Sequence, residues 1–201
     1  MKTAIKILDS KKEYREEIQK ILSKEQYAMF RRKAASRLHK YIERYKDLPR
    51  GVHSHTDEKI FPAAAVYMTA KEFMTRKQAY AVIENASVKI CAKLAPLKMI
   101  MKLPFMPALF IGMWDPMTKN NFGASCGFKN KFYPGKKDSY RMDILQCPYM
   151  TYFTKLGCPE LTKIFCENDE RIYGHLPGVV FQRNGTLGKG AEKCDFYIRK
   201  A

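Results

Sequence analysis

Apolar residues recur at helical spacing through the first half of the chain, with lysine and arginine filling the positions between them. This pattern predicts one or two amphipathic helices over residues 11–45, because one apolar and one charged face suit a helix that packs on a core. The run Leu48-Pro49-Arg50-Gly51 ends the pattern. Further helices are predicted over residues 60–77 and 76–94, and Cys91 near the end of the second fits a small core residue.

Residues 96–117 are apolar and rich in methionine, and prolines interrupt them. The segment either wraps over a cleft or forms a short helix and a strand through Leu109-Phe110-Ile111. Methionine fills irregular gaps well, so we favour core filling over a partner-binding surface.

The second half of the chain alternates between strand and helix patterns. A strand is predicted over residues 122–133, and the alternation of Tyr140, Met142 and Ile144 predicts a second one that ends at Cys147. Two helices follow, over residues 148–156 and 159–173. Residues 179–181 and 194–198 then read as two strands of a hairpin, with glycines between them.

These elements predict an α+β fold in which N-terminal helices pack with a four-stranded antiparallel sheet and two C-terminal helices. We divide the chain into a helical N-terminal region, residues 1–100, and an α+β core, residues 101–201, which carries the candidate site. At 201 residues the two parts together suit one compact domain.

The charge of the chain is its most unusual bulk property. It has 37 basic and 20 acidic residues, a formal net charge of +17, which would attract nucleic acid, acidic membranes or anionic small molecules. No zinc finger, helix-turn-helix or recognition-motif aromatics accompany this charge, which argues against nucleic-acid binding.

There is no apolar run long enough for a membrane span or a signal peptide, so we expect a cytoplasmic protein. Its six cysteines are then expected to be free thiols.

The candidate chemistry lies between residues 147 and 196, which contain four of the six cysteines. Cys147 precedes Pro148 at a predicted helix start, where the helix dipole favours a thiolate. Cys166 and Asp169 are three apart and share a helix face, so the carboxylate is within reach of the thiol as a base. Either thiol is a candidate nucleophile, and Cys194 is a third.

The residues of this stretch follow a definite order: Cys147, a helix, Gly157, Glu160-Leu161, Cys166, Asp169, Arg183, Thr186-Leu187, Gly190 and Cys194-Asp195-Phe196. This order resembles the L-2-amino-thiazoline-4-carboxylic acid hydrolase family. The resemblance covers the last quarter of the chain and extends more weakly to His55 and residues 60–67.

The resemblance implies a hydrolase that acts on a C–N bond of a small cyclic amidine-like or thiazoline carboxylate, through a cysteine thiolate and without a cofactor. Arg183 would then bind the substrate carboxylate, since its planar fork of donors suits that group. Thr186 and His55 are further candidates for substrate binding. Glu160 and Asp195 are candidates for proton transfer or for orienting a partner.

Other roles are open for the same residues. Three thiols with His55 or His175 could form a zinc site, so a metal-binding or small-molecule-binding sensor module is the alternative function. A basic nucleic-acid-binding protein is the weaker alternative, and a homo-oligomer is compatible with the sequence. Glu160 could instead be a helix N-terminal charge and Asp195 a strand-end hydrogen-bond acceptor. His55 could instead cap a helix or face solvent.

Overall fold

The first half of the chain is helical, as its apolar periodicity predicts. The computed structural model describes all residues, 1–201. The N-terminal helices are α1 (Lys2–Ser10), α2 (Lys12–Gln19), α3 (Lys24–Arg44), α4 (Arg50–His55), α5 (Phe61–Ala70) and α6 (Arg76–Ala92), with a π-helical turn at Thr56–Ile60. The region predicted as one or two helices after residue 11 is therefore two, α2 and α3.

Local capping explains where the two longest N-terminal helices begin. The Ser23 hydroxyl oxygen accepts a hydrogen bond from the backbone N–H of Gln26, and the Gln26 side-chain oxygen accepts one from the backbone N–H of Ser23. Thr75 and Gln78 make the same pair of bonds at the start of α6. Each reciprocal pair satisfies two N–H groups that a helix start would leave without partners.

Helix α5 is the centre of the larger hydrophobic cluster. Its residues are almost all buried, and Ala63, Ala64 and Ala65 have no exposed surface. Small side chains let α5 pack closely on α3 and α6. Phe153 and Ile164 from the C-terminal helices belong to the same cluster. The N-terminal core is therefore completed by helices from the far end of the chain.

The apolar segment after α6 is helical, so the strand predicted through Leu109-Phe110-Ile111 is wrong. It forms α7 (Ala95–Ile100) and α8 (Met106–Asn121), and α8 contains Pro116. Ile111 and Trp114 are buried on the inner face of α8. Core filling is wrong for much of the segment, because six of its apolar side chains are exposed. They are Met99 and Ile100 in α7, Leu103 and Phe105 between the helices, and Leu109 and Met113 on the outer face of α8.

The four-stranded antiparallel sheet and the C-terminal hairpin are confirmed. The strands are β1 (Lys129–Phe132), β2 (Ser139–Gln146), β3 (Val179–Gln182) and β4 (Cys194–Lys200), in the order β1-β2-β4-β3. In the register of the central pair, Ile144 lies opposite Cys194 and Asp143 opposite Asp195. The strand predicted from residue 122 begins only at Lys129, because a short 3₁₀ turn and Gly127, with φ +83°, precede it.

Two helices connect the sheet to its last hairpin. They are α9 (Pro148–Lys155) and α10 (Leu161–Tyr173), and α10 packs on α6, on α9 and on a 3₁₀ turn at Leu187–Lys189. The inner face of the sheet packs on α8 in a second hydrophobic cluster that includes Trp114, Met142 and Phe196. The arrangement is α+β. None of the helices combines the length and the apolarity needed to cross a membrane.

Candidate active site

An enclosed cavity lies where the N-terminal helices meet the sheet and the C-terminal helices. Its volume is about 430 Å³, and α2, α6, α8, α9, α10, β2 and β4 all contribute to its walls. Pockets for small organic ligands have volumes of roughly 300–1,000 Å³. Eighteen of the 24 lining residues are hydrophobic, so a ligand is held mainly by apolar contacts. The aromatic residues of the wall are Tyr14, Trp114, Phe122, Phe128, Tyr149, Phe165, Tyr173 and Phe196.

Four thiols line this cavity: Cys91, Cys147, Cys166 and Cys194. The structure therefore brings together three thiols that the sequence separates by up to 47 positions. Cys91 was expected in the core and is instead half-buried at the cavity wall. All six cysteines of the chain are free.

Cys166 is the cavity thiol whose surroundings favour the thiolate. Its pKa is lowered to about 6, first because the neighbouring Cys194 thiol is a donor that favours the negative charge on its sulfur. The buried Thr186 hydroxyl, which has no partner at ordinary hydrogen-bond geometry, lies close enough to favour the thiolate as well. The backbone N–H of Gly188 and the charge of Arg183 act in the same direction. These donors outweigh the cost of burying the charge.

Cys194 serves as the partner of Cys166. Its Sγ accepts a hydrogen bond from the backbone N–H of Leu187 at 3.3 Å. Its own pKa is raised, because its proton is shared with the Cys166 sulfur and because it is buried. Of the two adjacent sulfurs, Cys166 is therefore the one whose surroundings favour a negative charge.

The turn that contains Gly188 approaches Cys166 too closely for any larger residue. A Cβ atom at position 188 would lie 2.8 Å from Cys166 Sγ and 3.1 Å from the backbone nitrogen of Lys163. Glycine is needed here for this close approach, which brings the backbone N–H of the turn to the sulfur.

Asp169 lies beside Cys166 on the cavity wall, one turn further along α10. Its pKa is raised to about 7, because burial disfavours the carboxylate and the negative charge on Cys166 adds to this effect. Arg183 opposes the shift, since its Nη1 donates to Asp169 Oδ2 at 2.8 Å. A third of the Asp169 side chain is still accessible, and the residue lines the cavity.

Arg183 does not line the cavity, and its guanidinium is engaged within the protein. Besides its bond to Asp169, its Nη2 donates to the backbone carbonyl of Cys166 at 2.7 Å. Only 4% of its side chain is exposed. The expectation that Arg183 binds the substrate carboxylate is therefore corrected: it holds Asp169 and the backbone of Cys166 in place.

Cys147 occupies the helix start that the sequence predicts. It is the N-cap of α9, and Pro148 is the first helical residue. Its pKa is nevertheless raised to about 12, because burial outweighs the backbone N–H groups of Met150 and Tyr149. The expectation of a stabilised thiolate at Cys147 is wrong, since one helix start cannot compensate for the loss of water around the sulfur.

The two other candidate acids lie away from the cavity. Glu160 accepts hydrogen bonds from the Tyr67 hydroxyl at 2.6 Å and from Arg76 at 2.8 Å. Asp195 accepts from the backbone N–H of Gly185 at 2.7 Å, at the end of the hairpin. Neither lines the cavity, so the structural roles that the sequence left open describe them better than proton transfer.

His55 is buried, so the expectation that it caps a helix or faces solvent is wrong. Its Nε2 donates to the carbonyl of Asn121 at 2.8 Å, and its Nδ1 lies 3.3 Å from the Tyr149 hydroxyl. Burial lowers its pKa. The ring packs behind Tyr149, Phe122 and Phe128, which themselves line the cavity, so His55 supports the wall without contacting a ligand.

The zinc alternative has no ligand set in the structure. No group of three His, Cys, Asp or Glu side chains is arranged to hold a metal ion. His175 is exposed, and His55 is engaged with Asn121 and Tyr149.

The sequence reasoning missed the lining residues that come from the N-terminal half. These are chiefly Lys11, Tyr14, Glu58 and Lys59, together with Cys91. No motif identifies them, because they reach the cavity only through the packing of α2 on α6, of α6 on α10 and of the π-helical turn on α9. The π-helical turn at Thr56–Ile60 is the single local feature among them, and such turns are frequent at functional sites.

The thiol-lined cavity of this α+β chain has the size of a site for a small organic molecule. The chain belongs to the L-2-amino-thiazoline-4-carboxylic acid hydrolase family, whose model matches residues 4–198. The match extends over the helical N-terminal half as well as the last quarter of the chain, where the resemblance in residues is strongest. Searches of curated proteins and of solved structures gave no match.

Proposed function

We propose that this protein hydrolyses a small cyclic amidine-like or thiazoline carboxylate at a C–N bond, with the Cys166 thiolate as nucleophile. The observation that carries the proposal is the pairing, in one cavity, of a thiol with a pKa of about 6 and a carboxyl group with a pKa of about 7. Near neutral pH, Cys166 is then largely ionised while much of Asp169 is protonated. A nucleophile and a proton donor are available together.

The reaction begins on the ring carbon that joins the two ring heteroatoms. Cys166 Sγ attacks this carbon of the protonated amidine, and the electron pair of the C=N bond moves to the ring nitrogen. Asp169 then gives its proton to that nitrogen as the ring C–N bond breaks, and the lone pair of the exocyclic amino group forms a new C=N bond to the same carbon. An amine is a poor leaving group until it is protonated, so an acid is needed at this step.

Water completes the reaction at the same carbon. It adds as the Asp169 carboxylate accepts its proton, which restores the acid. The Cys166 thiolate then leaves, the remaining hydroxyl proton passes to the released amine, and the carbon is left as a carbamoyl group. Protein groups and water suffice for every step, so we propose no cofactor.

These roles differ in part from those the sequence favoured. A thiol that is already ionised near neutral pH needs no base, so we assign Asp169 as the proton donor rather than as the base for Cys166. Arg183 is a positioning residue, because it acts through Asp169 and the Cys166 backbone. Cys194 stabilises the thiolate of Cys166 rather than attacks the substrate. Thr186 stabilises the same thiolate rather than binds the substrate.

The test is turnover of 2-amino-thiazoline-4-carboxylate by the wild-type protein, with mass spectrometry of the quenched enzyme. We expect a ring-opened product and a covalent adduct on the peptide that contains Cys166. Full activity in Cys166→Ser, or an adduct on Cys147 instead, would show that the nucleophile is assigned wrongly.

A second proposal concerns location: because all six cysteines are free, a reducing compartment such as the cytoplasm suits the protein.

A further inference from the structure

Two cationic side chains line the cavity, Lys11 and Lys59. Lys11 lies at the junction between α1 and α2, and Lys59 lies in the π-helical turn Thr56–Ile60. Both belong to the N-terminal half of the chain, whereas Cys166 and Asp169 belong to α10 in the C-terminal half. Arg183, which the sequence favours for binding an anion, lies behind the wall and is engaged with Asp169.

Neither of these ammonium groups has a partner within the protein. Lys11 and Lys59 make no ion pair and no side-chain hydrogen bond, although Lys89 pairs with Glu16 and Glu17 a short distance away along α2 and α6. Glu58 also lines the cavity, but it lies beyond ion-pair distance from both lysines. Lys59 is exposed, whereas Lys11 is half-buried, and a partly buried cation that is left unpaired beside a cavity favours an anionic ligand.

Burial of Lys11 has the same implication. Its pKa is lowered, chiefly because burial disfavours the charged ammonium. The nearby charge of Lys59 lowers it further, and that of Glu58 opposes this effect. A carboxylate bound between the two lysines would add to the counter-charge that Glu58 supplies without forming an ion pair.

We propose that Lys11 and Lys59 form a carboxylate subsite of the cavity, which holds the anionic group of the substrate while its ring lies against Cys166. This inference rests on the proposed function for the position of the ring. The subsite itself rests on the two unpartnered lysines and the shared cavity. It defines the ligand as a small organic carboxylate with an apolar or heterocyclic body, which the aromatic wall accommodates.

The experiment measures binding by calorimetry in the Cys166→Ser background, so that turnover does not interfere. The two probes are 2-amino-thiazoline-4-carboxylate and its neutral carboxamide. We expect Lys11→Gln and Lys59→Gln each to weaken carboxylate binding about tenfold and to leave carboxamide binding within about twofold. Glu58→Gln should tighten carboxylate binding, because it removes a like charge.

Two further variants separate charge from folding. Lys11→Arg keeps the charge and should retain most of the carboxylate affinity. Lys102→Gln removes an exposed lysine that does not line the cavity, and it should change neither probe's affinity. Thermal melting of each variant checks that it is folded.

The subsite is disproved if the background protein binds the carboxamide as tightly as the carboxylate, or binds neither. Equal affinities in Lys11→Gln, Lys59→Gln and the background protein would also disprove it. If charge-dependent binding is present but wild-type protein turns over no thiazoline carboxylate, the subsite stands and the hydrolase proposal falls.

Discussion

Arg183 donates one hydrogen bond to the Asp169 carboxylate at 2.8 Å and another to the backbone carbonyl of Cys166 at 2.7 Å. One buried guanidinium thus fixes the acid and the backbone of the nucleophile on the same face of α10. It also keeps the pKa of Asp169 below the value that burial alone would give. The position of Asp169 and its acidity therefore depend on a residue that does not line the cavity.

The first prediction concerns the pH dependence of hydrolysis. The nucleophile must be deprotonated, so kcat/KM rises as the pH passes the pKa of Cys166, about 6. The proton donor must be protonated, so kcat/KM falls above the pKa of Asp169, about 7. We expect a narrow bell-shaped profile whose limbs belong to the interacting pair. A rate that keeps rising to pH 9 would contradict Asp169 as the acid.

The second prediction concerns Arg183→Gln. Removing the guanidinium takes away the charge that lowers the pKa of both Asp169 and Cys166, so both limbs of the profile should move to higher pH. The free energy of unfolding should drop by up to about 3 kcal/mol, below the full cost of breaking a buried pair because Asp169 is partly accessible. Arg171→Gln is the control, since Arg171 pairs with Glu167 on the same helix face. It should cost no more than about 0.5 kcal/mol and leave both limbs in place.

The third prediction compares three of the four cavity thiols. Cys166→Ser should lower kcat by at least about a thousandfold, because a hydroxyl is not ionised near neutral pH. Cys194→Ala should raise the pKa of Cys166, because it removes the donor beside the Cys166 sulfur. Cys91→Ser is the control and should retain activity, since that thiol only lines the wall.

The fourth prediction concerns chemical modification. Iodoacetamide at pH 6.5 should alkylate Cys166 first, because only the thiolate reacts. The rate should have a midpoint near pH 6. Cys147 should react slowly at this pH, because its pKa is raised to about 12. Peptide mapping by mass spectrometry separates the two sites, and faster labelling of Cys147 would reverse their proposed roles.

The fifth prediction concerns Gly188→Ala. The added Cβ would lie 2.8 Å from Cys166 Sγ, so the turn must move away from the sulfur. We expect the alkylation midpoint of Cys166 to shift to higher pH and stability to fall by about 1–3 kcal/mol. Gly112→Ala in α8 is the matched control, because a Cβ there meets nothing within 4 Å. That control should be neutral or more stable by about 0.5–1 kcal/mol.

Local signals in the sequence were most reliable where one short segment determines the structure. The N-cap at Cys147, the hairpin whose second strand begins at Cys194 and the alternation of Tyr140, Met142 and Ile144 were all predicted from neighbouring residues. The segment that forms α8 was misread, because its prolines suggested interruptions. Pro107 instead occupies the first turn of the helix, where a missing N–H costs nothing.

The chemistry of the thiols could not be ranked in the same way. The dipole argument favoured Cys147, but the pKa of a thiol also depends on how much water surrounds it and on which donors face it. Those donors reach Cys166 from Cys194, Thr186 and Gly188, between 20 and 28 positions along the chain. Spacing along the helix indicated only that Asp169 was near Cys166.

By itself, the sequence determined the α+β class, most of the helices and strands, and the stretch in which the thiols and acids are concentrated. These features follow from periodicity, caps and turns, which act over a few residues. Only the tertiary structure decided that Cys166 carries the charge, that Arg183 is engaged with Asp169, and that Lys11 and Lys59 line the same cavity. Burial and the electrostatic field at a side chain are set by atoms from distant segments, and a linear pattern carries no measure of either.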